Sequence, residues 1–123
     1  MSLELIRNKI GEGKSKLESL QTDVNANDFS EPIDLFQEAL SECEKLNPPN
    51  YPVQAEILTF LADSLGFEGE RRMDPDKLKS AIWQGERLFR IYDNKLTSLE
   101  YYPKRTEIRQ KIVKWKDLRL SLL

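Results

Sequence analysis

Apolar residues recur at three- and four-residue steps along most of this chain, and the steps stop at prolines, glycines and short polar clusters. The clearest case runs from Asp28 to Gly66. There Ile33, Phe36, Ala39, Leu40 and Cys43 form one stripe, and Val53, Ile57, Phe60, Leu61 and Leu65 form a second. Such spacing puts each set on a single helix face. Between them Asn47-Pro48-Pro49-Asn50-Tyr51-Pro52 cannot continue a helix, because proline lacks an N–H and restricts the residue before it. A helical hairpin follows.

The same reasoning extends to both ends. Leu3, Ile6, Ile10, Leu17, Leu20 and Val24 predict a first helix over about 3–22, with Gly13 in the missing slot of the stripe. Gly11 and Gly13 each cost that helix about 1 kcal/mol relative to alanine. We expect them to mark a weak spot near an exposed end, the other reading being close approach of a neighbouring helix. Ser30 reads as the N-cap of the second helix, which ends before Pro48. The third is expected over about 52–65 with Gly66 as its C-cap, and Phe67 to Arg72 as a charged loop. Asp74-Pro75 is a strong start for a fourth helix with Leu78, Ala81, Ile82, Leu88, Phe89 and Tyr92 inward, ending near 93. Tyr101-Tyr102-Pro103 reads as a packed turn before a fifth helix over about 103–122, with Ile108, Ile112, Trp115 and Leu122 on one stripe. No strand-like alternation appears. The expectation is a single all-α domain of about five antiparallel helices, paired over about 3–46 and 52–93 and capped by 103–122.

Composition narrows the chemistry more than it names it. The 123 residues contain no histidine and one cysteine. Zinc-finger ligand sets, Ser-His-Asp and Cys-His relays are therefore excluded, and no internal disulfide can form. Only carboxylates, lysines and tyrosines remain for catalysis, so we expect no enzyme, no cofactor and no metal site. Asp74 reads as a cap rather than a ligand, and Cys43 as a small core hydrophobe. No glycine-rich phosphate loop, secretory signal or long apolar run is present, which points to the cytoplasm or nucleus and away from a membrane.

Charge is unevenly placed. From Pro103 to Arg119 there are seven basic and two acidic residues, +5, which leaves −7 for the rest of a chain of net charge −2. The basic set Lys104, Arg105, Arg109, Lys111 and Lys114 is the first candidate partner surface. As a solvated face or protein contact it outranks nucleic-acid binding, because the whole chain is acidic. Pairing with the acidic second helix is an equal alternative. Trp83 lies off the Leu78–Ile82 stripe. We expect it to fill a groove between the third and fourth helices, with an exposed partner anchor as the other reading.

Slid along itself, the chain matches at an offset of 42. Ile33, Phe36, Ala39 and Leu40 then fall on Pro75, Leu78, Ala81 and Ile82, and Glu44-Lys45-Leu46 on Glu86-Arg87-Leu88. One residue off that register, Leu17, Leu20 and Val24 pair with Leu58, Leu61 and Leu65. A large residue three positions before a small one, as in Phe36…Ala39 and Leu78…Ala81, resembles the second helix of tetratricopeptide (TPR) repeats. Leu58, Leu61, Ala62 and Leu65 are similar to the first helix of that family. The resemblance covers roughly 16–92, at a period longer than the family's about 34 and within the HEAT/armadillo range. A generic helical bundle is the competing architecture. The resemblance implies a protein-binding adaptor or scaffold, with a concave face lined by the first, third and fifth helices and the last helix as a cap. It does not imply the family's carboxylate clamp, since no lysine or arginine lies between Tyr51 and Gly66. The alternative is a small nucleic-acid-associated subunit using the basic last helix.

Overall fold

In the computed structural model, which describes residues 2–123, the chain is all-α. Its helices are α1 (Leu3–Thr22), α2 (Ser30–Glu44), α3 (Tyr51–Arg72), α4 (Pro75–Asn94) and α5 (Tyr102–Ser121), with one 3-10 turn over Leu99–Tyr101. Each helix packs chiefly on the next in sequence, α1 on α2 and so on to α5. Helices α1 and α3, and α3 and α5, touch lightly, whereas α1 and α5 have no substantial contact. The result is an open stack of hairpins rather than a ring that closes on itself. No helix of the described residues is long and apolar enough to cross a membrane.

Local chemistry explains most boundaries. Asn50 Oδ1 accepts the Val53 N–H at 3.1 Å, and Asp74 Oδ1 accepts those of Asp76 and Lys77, so both α3 and α4 begin on a side-chain cap followed by proline. Helix α2 differs from expectation by one position. Ser30 is already helical, Phe29 is the N-cap residue, and it is the Asp28 carboxylate that accepts the Ser30 N–H and hydroxyl. Val24 lies beyond the end of α1 and is exposed, so the first stripe stops at Leu20.

The larger correction concerns α3. It does not stop at Gly66 but runs to Arg72 and ends at Met73, whose left-handed backbone (φ 53°) turns the chain. Gly66 is a seat, not a cap: a Cβ there would fall 2.5 Å from the Trp115 ring of α5. Gly13 is likewise buried, with Phe36 of α2 2.6 Å from where a Cβ would be. Close helix approach, not fraying, is what that residue permits.

The extra turn of α3 carries charges that hold the first hairpin. Glu68 is fully buried, and its Oε1 accepts the Phe29 N–H at 2.9 Å. Lys77 Nζ lies 3.0 Å from Oε2, an ion pair without the alignment of a hydrogen bond, and Oε2 accepts no hydrogen bond among the described residues. Next to it, the Arg71 guanidinium donates to the carbonyls of Leu20, Gln21, Asp23 and Ala26 at 2.7–2.9 Å. It also lies 5.1 and 5.7 Å from the ring centroids of Phe29 and Phe67, which stack on each other. Arg72 Nε adds a bond to the Asn27 carbonyl at 2.6 Å. The orphan carbonyls at the end of α1 thus find their donors in α3.

Two stability measurements follow. Gly66→Ala should destabilise by about 1–3 kcal/mol through overpacking, while Gly11→Ala, with nothing within 4 Å of its Cβ, should gain up to about 1 kcal/mol; urea unfolding of both variants checks the contrast. Glu68→Ala strands the buried Phe29 N–H and leaves a void, and its urea midpoint should fall by the equivalent of about 2–4 kcal/mol.

Candidate protein-binding groove

Helix α5 sits on α3 and α4 through Ile108, Ile112 and Trp115, all buried. Because α1 and α5 flank α3 without meeting, a groove of about 440 Å³ remains between them. Its floor is apolar: Ala55 and Phe60 from α3, Leu88 and Tyr92 from α4, and Ile108 from α5. Such a volume falls within the range of ordinary ligand pockets. Tyr101 stacks on Tyr92 at 5.9 Å between centroids and lines the groove, so one ring of the expected packed turn is packed, while Tyr102-Pro103 already belong to α5. Tyr102 beside it is exposed.

The rim is charged. Lys14 of α1 places Nζ 5.1 Å above the Phe60 ring, and Lys104 of α5 places its own 5.9 Å from the Tyr101 ring. Neither lysine has an ion-pair partner among the described residues. A shallower hollow continues along α1 past Lys14 to Arg7, with Glu56 shared between the two. Lys111 differs, since its Nζ is held by Asp63 at 2.9 Å and Glu107 at 3.0 Å. Burial pushes the Asp63 carboxyl above its ordinary value in spite of Lys111, whose own pKa is raised by Asp63 and Glu107 against its partial burial.

The residues singled out in the sequence do not form one surface. Lys104 and Lys111 line the groove. Arg105 turns to Asp93 (2.8 Å) and lies 4.8 Å from the Phe89 ring, and Lys114 reaches Glu70 at 3.0 Å. Arg109 is exposed and does not line the groove. Trp83 does not fill the space between α3 and α4. It is 59% exposed on the outer face, under the Arg87 guanidinium, beside a separate hollow that includes Ile33, Leu65 and Ile82. The acidic α2 pairs with α1 and α4 rather than α5, through Lys9–Glu38, Lys16–Glu31 and Arg87–Glu44. Glu56 and the Phe60 ring were not singled out as a site, and Lys14 was considered only with Arg7, Asn8 and Lys16 as clamp chemistry on the first helix, because only the fold brings α1 opposite α5. Their sequence signal is weak: a lysine at the margin of an apolar stripe.

Two further facts bear on chemistry. The Cys43 thiol is buried in the core and its pKa is raised, chiefly by that burial. No group of three or more metal-ligating side chains comes together among the described residues. Comparison with protein-family models, with curated proteins and with solved structures found no match to this chain.

The Asp63 shift has a definite sign. Its folded-state pKa lies above the ordinary 3.8, so the stability it lends is complete at lower pH and is lost as pH rises through the raised value. Asp63→Asn removes that loss. Urea titrations at acid and neutral pH should show the variant gaining on the wild type as pH rises; a variant that loses ground would mean that Lys111 outweighs burial.

Proposed function

We propose that this chain is a non-catalytic protein–protein interaction module of TPR-like construction, an adaptor or small subunit of a larger assembly. Its partner is another protein or peptide, taken up in the groove between α1, α3 and α5. One observation carries the reading: Lys14 and Lys104 stand on opposite walls of an apolar-floored groove, each on an aromatic ring and neither with an acidic partner among the described residues. An apolar floor accepts a side-chain anchor, and two unspent cations at the rim select flanking carboxylates. The succession of hairpins with a final helix over the open end is in keeping with a TPR-like solenoid. A cytoplasmic or nuclear setting goes with this reading.

The nucleic-acid alternative draws less support. Arg105, Lys111, Lys114 and Lys116, four of the seven cations of the 103–119 segment, are engaged with Asp93, Asp63, Glu70 and Glu86. Charges already paired release few counterions on meeting a phosphate backbone.

The test is capture of cellular proteins on the immobilised chain, wild type against Lys14→Glu/Lys104→Glu. The double variant should lose the proteins that the wild type retains, whereas Trp83→Ala should keep them. An identical set on both columns overturns the groove. Tight, steeply salt-dependent retention of nucleic acid would favour the alternative.

A further inference from the structure

Helix α5 carries apolar residues on two sides. One side is the buried set Ile108, Ile112 and Trp115. The other comprises Tyr102 (54% exposed), Val113 (54%) and Leu120 (67%), with Leu123 (73%) just past the helix. At 100° per residue, positions 102, 106, 109, 113, 117 and 120 fall within about 40° of Val113, so they form one straight stripe about 27 Å long. Elsewhere among the described residues the exposed large apolar side chains are dispersed over separate elements: Leu5, Val24, Met73, Trp83 and Leu99. This stripe is the one run of them along a single helix.

Two charges interrupt the stripe, Arg109 and Asp117. Both are exposed, and neither has an ion pair or hydrogen bond among the described residues. Eight residues separate them, about 12 Å along the axis, so they do not reach each other within one chain. Val113 lies midway between them. A two-fold axis through Val113 that sets α5 antiparallel to a second α5 brings level every pair of positions whose numbers sum to 226. Val113 then meets Val113, Thr106 meets Leu120, and Arg109 meets Asp117 twice over. Parallel pairing would instead oppose Arg109 to Arg109 and Asp117 to Asp117, which like-charge repulsion disfavours.

We propose that the outer face of α5 is a homodimer interface, with a second copy of this chain as its occupant. A two-fold contact uses the same patch on both partners, and this patch is complementary to itself in that one orientation. The groove on the opposite side of α5 stays open in such a dimer, so the two copies present two grooves. The dimer does not depend on what the groove binds. One helix face per partner is a small interface, so association is expected to be reversible and in the micromolar range, about 1–100 µM.

Sedimentation velocity over a concentration series is the test. The wild type should pass from the mass of one chain to that of two. Val113→Glu places two carboxylates on the axis and should hold the protein at one chain throughout. Arg109→Glu sets like charges against Asp117 of the second copy and should weaken association at least about tenfold. Adding Asp117→Arg to it reverses both charges and should restore the dimer to within about threefold of the wild type. All these positions are exposed, so far-UV circular dichroism should be unchanged; if Val113→Glu misfolds, the charge swap alone carries the test. A wild type that remains one chain at the highest concentration overturns the interface. So does a dimer that Val113→Glu or Arg109→Glu leaves as strong as the wild type, or a charge swap that fails to restore what Arg109→Glu lost.

Discussion

The backbone carbonyls that end α1 and cross to α2 have one main donor, and it is Arg71. A guanidinium can serve four carbonyls at once because its N–H groups form a rigid planar fork, which the lysine ammonium does not. It rests on Phe29 and Phe67, half-buried, with its flat face against their rings. Glu68, three residues earlier, holds the entry to α2 by the Phe29 N–H. Together they bind the crossing between the first two helices to the far end of α3. The position of α1 beside α3, and so one wall of the groove, rests on that knot.

The other wall rests on glycine. Trp115 packs flat on Gly66 and Ile112 on Gly85, which lets α5 settle against α3 and α4 at backbone distance. A larger residue at either place would push α5 outward and change the spacing of Lys104 from Lys14. The ion pairs of α5 with Asp63, Glu70, Glu86 and Asp93 then fix its rotation. They also explain why a strongly basic helix on an acidic body leaves so few cations free.

Helix number, the Asp74-Pro75 start and most core positions were legible in the sequence, because 3.6-residue periodicity and capping chemistry are local. The end of α3 was not. Gly66 and Gly69 look like a stop when only the chain is in view, and nothing nearby shows that Trp115 and Leu78 occupy the space a Cβ would need. Glu68, Arg71 and Arg72 read as a solvated loop for the same reason: their partners lie between residues 20 and 29, more than 38 positions away. Trp83 was misplaced because an aromatic at the margin of a stripe has no sequence mark for inside or outside. The groove was legible only as a set of helices, since its lysines come from the two ends of the chain.

Helix α3 is a single rod of 22 residues that touches every other helix or is braced by it. Stacked repeats of independent units ordinarily melt piecemeal, one end fraying while the other persists. Here the last turn of α3 supplies donors to α1, its middle seats α5, and its whole length backs α4. Neither hairpin is thus complete without the central rod. Loss of structure at either end removes support from the other, and the chain should melt in one cooperative transition despite its modular outline.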